Sequence, residues 1–198
     1  STITSYNREY WKTIFDAHPW INGPSDSYLG FTKRGGGSLS EHSHAINIYQ
    51  HFANFLKLGK INKVNANLNF VKKNKVNHDN LSILNVETEK GILGNIIQDV
   101  ITWPSQKFLR IEGSKGFLEW HTNYSNNCDA VKIETRKNKK IYKFKKKRPD
   151  DFKGQVEVIN KLLQGEKLKS LSISLEETLA TMLVISAALK SNKYKRQI

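Results

Sequence analysis

The chain of 198 residues holds one cysteine, Cys128, and one methionine. A single cysteine excludes an intramolecular disulfide and any thiolate metal cluster. It fits a reducing compartment, so the expected location is cytoplasmic. Long hydrophobic runs are also missing. The most apolar stretch, Ala180 to Leu189, is ten residues long and carries Thr181 and Ser186. That is too short to cross a bilayer, and no membrane partner is expected. The N-terminus, Ser1-Thr2-Ile3-Thr4, has no apolar core of a signal peptide. It starts without Met, as expected of a piece cut from something longer. Internal repeats and low-complexity segments are absent. So are a Gly-x-Gly-x-x-Gly fingerprint, a P-loop, a Gly-x-Ser-x-Gly elbow and a His-Glu-x-x-His helix. The chain alone shows no cofactor-binding apparatus.

Acidic residues are few: 18 Asp and Glu face 32 Lys and Arg, a net charge of +14. Residues 132–148 alone carry +9, from ten basic residues against Glu134, which leaves +5 for everything else. A basic patch is only the electrostatic footprint of a nucleic-acid binder. A charge confined to one segment, in a chain rich in Lys and Asn throughout, argues against that role. The hydrophobic content of 38% predicts a folded domain rather than a disordered chain. The length suits one large domain able to bury a core.

Read in order, residues 2–8 form a strand and residues 9–34 an irregular loop with Pro19, Gly23, Pro24 and Gly30. Long loops that persist in compact domains are usually functional. A helix is expected from Ser38 to Leu58. It is opened by the capping box Ser38-Leu39-Ser40-Glu41, ended by Gly59, and buries a stripe of Leu39, His42, Ala45, Ile46, Tyr49, Phe52, Ala53 and Leu56. Val64, Ala66, Leu68 and Phe70 alternate with Asn65, Asn67 and Asn69, the pattern of a half-buried strand. Three hairpins follow: 81–87 with 92–102, 107–112 with 116–120, and 131–135 with 140–144. Helices close the chain at 150–164, with Phe152, Val156, Ile159 and Leu163 on one face, and at 175–192. The last is opened by Ser174-x-x-Glu177 and buries Leu175, Leu179, Met182, Ser186 and Leu189. The expected fold class is α+β: an open, mainly antiparallel sheet with helices on one face. Its other face is available for oligomerisation.

The chemistry gathers between His18 and His44, which hold three of the six histidines. Three glycines, Gly35 to Gly37, would let backbone or a ligand approach the helix start closely. Free N–H groups there favour an anion or a polarised oxygen. On a continuous helix Glu41, His44, Asn47 and His51 share a polar face. Glu41 is either the third residue of the capping box or an acid–base partner of His44, whose ordinary pKa of about 6.5 suits proton transfer. His42 belongs to the buried stripe as a satisfied core histidine, and His51 to the helix surface. Glu41, His44 and His51 are a conceivable ligand set, but no His pair has the i, i+4 spacing of zinc helices, so no metal is expected.

These residues resemble the C-terminal domain of the Gfo/Idh/MocA family, the glucose–fructose oxidoreductase and inositol dehydrogenase relatives. His18-Pro19-Trp20 is similar to the His-Pro-Trp of one branch. The run Gly35 to Asn47 is similar to that branch's Gly-Gly-Gly-x-Leu-x-(Asp/Glu)-Leu-Ser-His-x-Ile-Asp. Gly91 to Gly94, Ile111 to Trp120, Ser174 to Glu177 and the closing Lys195 to Ile198 resemble later parts of the family domain. His42 stands where Leu is usual, Asn47 where Asp is, Ala45 where a larger or acidic residue is common, and Ile21 where an acid is common.

The resemblance implies that residues 1–198 are the substrate-binding and oligomerisation domain of an oxidoreductase. The N-terminal Rossmann domain of the same polypeptide, absent here, would bind NAD or NADP and supply a catalytic Lys. It implies catalytic roles for His44 and Glu41, and a homo-oligomer formed through the open sheet face. The substrate would be a sugar, amino sugar or nucleotide sugar. His18, Trp20, Lys33, Arg34 and Asn47 would bind it: Trp20 as a stacking face, Lys33 or Arg34 to a phosphate or carboxylate. Two other functions compete, a non-catalytic binding or dimerisation module of the same fold and a basic nucleic-acid-binding domain.

Overall fold

The computed structural model describes residues 1–73, 75–147, 149–167 and 174–198. Among the described residues there are eight strands: β1 (Thr2–Tyr10), β2 (Ile61–Lys73), β3 (Val76–Thr88), β4 (Leu93–Asp99), β5 (Ile101–Gly113), β6 (Gly116–Ser125), β7 (Cys128–Thr135) and β8 (Lys139–Lys145). Five helices accompany them: α1 (Trp11–Asp16), α2 (Gly37–Ser40), α3 (His44–Phe55), α4 (Asp150–Leu163) and α5 (Leu175–Tyr194). The strands form one open sheet in the order β2-β3-β4-β1-β5-β6-β7-β8. Only β1 and β4 run parallel; every other neighbouring pair is antiparallel. The α+β class and the open, mainly antiparallel sheet expected from the sequence are what the structure shows.

Alternation explains which face is covered. Ile3, Val64, Ala66, Leu84, Val86, Ile96 and Leu109 point to one side of the sheet and are buried there against Leu39, Ala45, Ile46, Tyr49 and Ala53. Val184, Ile185 and Ala188 of α5 complete this core. Fully burying such aliphatic side chains contributes about 1.5–3 kcal/mol each. The opposite face of the sheet carries Tyr6, Phe108 and His121 in a row. Phe108 meets Tyr6 edge-on at 4.3 Å and stacks with His121 at 5.4 Å.

Several expectations need correction. The 9–34 segment is not wholly irregular: α1 and three short 3-10 turns occupy part of it, and Trp11, Leu29 and Val100 make a small second core beneath. The stretch 92–102 is two strands, since the chain turns at Val100 between β4 and β5. The helix expected over 38–58 is broken between Ser40 and His44. Ser38 caps nothing, because Gly36 is the N-cap and the Ser38 hydroxyl donates to Asp79 at 2.7 Å. Lys57, with φ of 56°, takes the left-handed position expected of Gly59 just past α3.

The stripe on α5 is also misplaced. Leu175, Leu179, Met182 and Ser186 are exposed, while Thr181, Val184, Ile185, Ala188 and Ser191 face the sheet. Small polar groups make that close packing possible: Gln50 Nε2 donates to Thr181 Oγ1 at 2.8 Å, and Ala66 N–H donates to Ser191 Oγ at 3.0 Å. Ser174 does cap this helix, its Oγ accepting from Glu177 N–H, but the Glu177 carboxylate accepts from Asn54 Nδ2 at 2.9 Å, so only half of the expected capping box is seen. On helix α4 the expected stripe of Phe152, Val156, Ile159 and Leu163 lies on one face, but all four are exposed.

The sheet edges are protected differently. The outer edge of β2 is met by the C-terminus, where Val64 and Ile198 exchange backbone hydrogen bonds of 2.8 and 3.0 Å. Strand β8 is exposed along its whole length and carries Lys139, Lys140, Lys143 and Lys145. Lysines on an edge strand discourage pairing with another chain. This accounts for much of the basic stretch; its last residue, Arg148, lies outside the described residues.

Candidate functional site

The site is built around the break between α2 and α3. Gly35 and Gly37 have φ of 88° and 91°, in the left-handed region that favours glycine. A Cβ on Gly36 would collide with the carbonyls of Tyr28 and Leu29, and one on Gly37 with the Asp79 carboxylate. The close approach expected at these glycines is therefore made by backbone and by a side chain of this chain. The anion expected at the helix start is likewise internal. The buried Asp79 carboxylate accepts from Leu39 N–H at 2.6 Å, from Ser38 Oγ at 2.7 Å and from Thr32 and Ser82 hydroxyls at 3.1 Å.

Gln98, fully buried on β4, spans the break. Its amide nitrogen donates to the carbonyls of Ser38 and Leu39 at 3.2 Å, and its oxygen accepts from Ile46 N–H at 3.4 Å. Two sheet residues thus fix the backbone on either side of Glu41, His42 and Ser43.

The helix is interrupted between Ser40 and His44, with His42 buried in the turn and His44 exposed at the start of α3. Both face the same charges, Glu9 and Lys107 from the inner face of the sheet and Glu41 from the turn itself. Glu9 sits where the register of β1 slips between Arg8 and Tyr10, a bulge of the kind that re-aims side chains. Its carboxylate is shared between the Lys107 ammonium and His42 Nδ1, the latter at 3.4 Å. Asn7, two residues earlier, donates to the His42 carbonyl at 3.1 Å. His42 is buried as expected, but it is not a satisfied core histidine: its Nε2 has no partner.

The electrostatics follow from this geometry. Burial alone would raise the Glu9 pKa, but the hydrogen bond and charge of Lys107, helped by the two imidazoles, hold it below the usual carboxylate value. Burial lowers His42; Glu9 and Glu41 oppose this, and Lys107 and His44 add to it. His44 is exposed, yet enough protein surrounds it that lost hydration, followed by Lys107, lowers its pKa against the pull of Glu9 and Glu41. Tyr28 donates its hydroxyl to Glu41 at 2.7 Å, and this bond, with burial and the Glu41 charge, pushes the phenol up to about 12. Glu41 is thus a partner of Tyr28 and a near neighbour of His44, and the N–H groups of a helix cap play no part in it.

The remaining candidates lie apart. His18 Nδ1 sits 2.7 Å from the Ile14 carbonyl, and its ring meets Trp20 edge-on at 5.2 Å. Trp20 is 72% exposed. Lys33 and Arg34 are exposed, with the Arg34 guanidinium over the Phe31 ring at 4.4 Å. Asn47 and His51 are exposed on α3, the side expected for them. Among the described residues, no hydrogen bond, ion pair or ring contact joins His18, Trp20, Lys33, Arg34 or Asn47 to His44. A cavity of about 750 Å³ opens beside α1, lined by Trp11, Phe15, Pro19, His78 and Ile101, and neither Glu41 nor His44 lines it. Among the described residues no group of three or more His, Cys, Asp or Glu is arranged to hold a metal ion.

Glu9, Lys107, Asp79 and Gln98 were not legible as site residues. Glu9 sits near the end of β1 and Lys107 midway along β5, and they meet only through the β1–β5 pairing. The one available signal was that Lys107 lines up with Leu109 and Ile111 on the inner face of β5; the inner face of β1 also carries the buried polar Ser5 and Asn7.

No protein-family model matches the chain, and no curated protein does. Its fold does match solved structures. Aldose–aldose oxidoreductase from Caulobacter crescentus, complexed with glycerol, is 16% identical with a TM-score of 0.72, covering 100% of this chain and 54% of its own. A 3-ketoreductase from Actinomadura kijaniata, in complex with NADP and TDP-benzene, is 16% identical at 0.68, over 96% of this chain and 53% of its own. Levoglucosan dehydrogenase, complexed with NADH and levoglucosan, is 12% identical at 0.71, over 100% and 57%. The chain spans about half the length of the solved proteins it matches. At these identities the likeness establishes a shared fold, the one that the resemblance to the Gfo/Idh/MocA C-terminal domain implies.

Proposed function

We propose that this chain is the substrate-side domain of an NAD(P)-dependent oxidoreductase of Gfo/Idh/MocA type. It acts on a hydroxyl- or carbonyl-bearing carbon of a sugar, amino sugar or nucleotide sugar. The observation that carries this reading is the match of 96–100% of the chain to about half of several solved oxidoreductases. The Gly35–Asn47 motif supports it, since it contains His44, whose charged neighbours are Glu9, Glu41 and Lys107.

A nicotinamide bound outside residues 1–198 would supply or take the hydride. The residues here bind the sugar and handle the proton. His44 is neutral near pH 7, since its pKa lies below the ordinary imidazole value, and so can accept a proton from a hydroxyl. Glu41, tied to Tyr28, opposes that lowering and stabilises the imidazolium once formed. Trp20 offers an exposed stacking face, Lys33 and Arg34 exposed cations, and Asn47 an amide one turn along from His44.

The exposed apolar faces of α4 and α5 suit contact with the cofactor domain of the same polypeptide, and the Tyr6–Phe108–His121 row suits a second copy. The domain would work inside a cytoplasmic holoenzyme and would be inactive alone. The test is turnover of the protein with its own cofactor domain, followed by NAD(P)H absorbance across a panel of sugars and nucleotide sugars. Cofactor-dependent turnover of one of them is expected. Failure of the panel, with no dinucleotide-binding domain upstream, overturns the reading.

A further inference from the structure

We infer that the cavity beside α1 is a binding site for an uncharged, flat ring with a cyclic-amide edge, the chemistry of a pyrimidine base. The inference is separate from the His44 site and does not rest on the oxidoreductase reading.

The walls come from three parts of the chain. Helix α1 contributes Trp11 and Phe15, and the loop after it Pro19 and Ile21. The sheet contributes His78 from β3 and Val100 from the corner between β4 and β5. These parts are fixed to one another. Trp11 N–H donates to the Val100 carbonyl at 3.0 Å, and a Cβ on Gly30 would collide with the Pro24 carbonyl and Val76. The volume of about 750 Å³ falls within the range of about 300–1,000 Å³ of small-molecule pockets and far exceeds one water.

Two features define the occupant. The first is charge. Among the described lining residues, the ammonium of Lys12 is held by both oxygens of Asp16 at 2.9 and 3.0 Å. Burial keeps the His78 imidazole below its ordinary pKa, so it is neutral near pH 7. With no net charge on the lining, a phosphate or carboxylate gains little there. The second feature is a pair of ring nitrogens. Trp11 and His78 expose 7% and 4% of their surface, and their rings lie 4.6 Å apart, tilted by 34°. Neither Trp11 Nε1 nor His78 Nδ1 has a hydrogen-bond partner among the described residues. A buried polar group left unpaired costs about 1–3 kcal/mol. Trp11 Nε1–H can only donate, while Nδ1 of a neutral imidazole can accept. A carbonyl beside an N–H answers both. The two nitrogens are shielded from solvent, so a small turn of the rings brings them to the ligand edge. A sugar fits less well. Its hydroxyls would each need a partner among Phe15, Pro19, Ile21 and Val100, whose side chains offer none, whereas a base keeps its polar groups on its edge.

The test is proton–nitrogen NMR on the 198-residue chain, whose four tryptophans give four indole signals. Trp11→Phe identifies the Trp11 signal. Uridine is the probe, and it should move that signal saturably at millimolar concentration or below while the Trp120 signal stays in place. Uridine methylated at its ring N–H keeps the shape and loses the donor, and should bind at least about tenfold more weakly. Glucose should leave the signal unmoved. His78→Phe keeps a ring and removes Nδ1, and should weaken uridine by a similar factor. Should that variant fail to fold, Ile101→Trp, at a half-exposed position on the rim, decides in its place by closing the cavity to uridine. UDP-glucose separates two sources of such a base: binding as tight as uridine's points to a larger nucleotide ligand and weaker binding to a free nucleoside, and either upholds the site. Equal binding of uridine and its methylated form, or binding of glucose in place of uridine, overturns the inference. So does a Trp11 signal that no probe moves, which leaves water as the partner of both nitrogens.

Discussion

The Asp79 carboxylate and the Leu39 amide lie 40 residues apart in the chain and 2.6 Å apart in space. Through that bond β3 decides where the first helical turn after the glycines begins, and so where Glu41, His42 and His44 are presented. Asp79→Ala would leave the Leu39 N–H and the Ser38 and Ser82 hydroxyls without their acceptor in a buried place. The expected cost is about 3 kcal/mol in urea unfolding, against about 1 kcal/mol for Ser82→Ala. Equal costs would show that the carboxylate is not the hub.

The glycines make a sharper pair. Gly35 and Gly37 are both left-handed, but an added Cβ at Gly35 meets open space while one at Gly37 meets Asp79. Gly35→Ala should cost about 1 kcal/mol, the backbone penalty alone. Gly37→Ala should cost about 3 kcal/mol, the same penalty plus displacement of the Asp79 side chain. Thermal and urea unfolding of the two variants compare these directly.

Acid should weaken the fold. Burial holds His42, His44 and His78 below the ordinary value of 6.5, with Lys107 contributing at the first two. As pH falls below about 6.5, the unfolded chain takes up protons that the folded chain refuses, and stability drops. Glu9 is also held low, so its contribution is present above its unfolded value of about 4.5 and is lost as pH falls further, through its folded value. Urea midpoints should be flat above about pH 7, fall toward pH 5 and fall again in stronger acid. His42→Gln should make the first decline shallower. A midpoint that rises on acidification would contradict the burial of these imidazoles.

Much of the scaffold was readable because it depends on short-range pattern. The alternation at Val64–Phe70 marks β2, the turn residues mark the three later hairpins, and Ser174 marks the start of α5. The stripe Ala45, Ile46, Tyr49 and Ala53 is the buried side of α3. The misreadings share a cause in contacts distant along the chain. Ser38-Leu39-Ser40-Glu41 has the spacing of a capping box, but Asp79 takes the Ser38 hydroxyl and Tyr28 takes Glu41, so the box cannot close. Helix α5 is apolar nearly all round, and periodicity cannot choose its inner face; Gln50 and the backbone of β2 choose it by pairing with Thr181 and Ser191. Within the candidate site, His44 and Glu41 were legible from a local motif. Glu9 and Lys107 were not, because only the pairing of β1 with β5 brings them together.

Strand β8 supplies a prediction about the basic stretch. If its lysines serve to keep the edge unpaired, then Lys143→Val with Lys145→Val should promote self-association, seen by sedimentation as a shift to larger species at fixed protein concentration. Binding of the unmodified chain to DNA or RNA, if any, should be weak and steeply salt-dependent, as expected of scattered phosphate contacts. Sequence-selective binding that survives salt would instead favour a nucleic-acid role.

The most direct measurement of the central claim is the steady-state turnover of the protein carrying its own cofactor domain, with His44 intact and replaced by Gln. The account predicts a fall of about 10²–10⁴ in kcat, the usual contribution of a positioned acid–base group, with KM changing far less. It also predicts that the limb of the pH–rate profile set by His44 disappears. Unchanged kcat and an unchanged profile in the His44→Gln protein would contradict it.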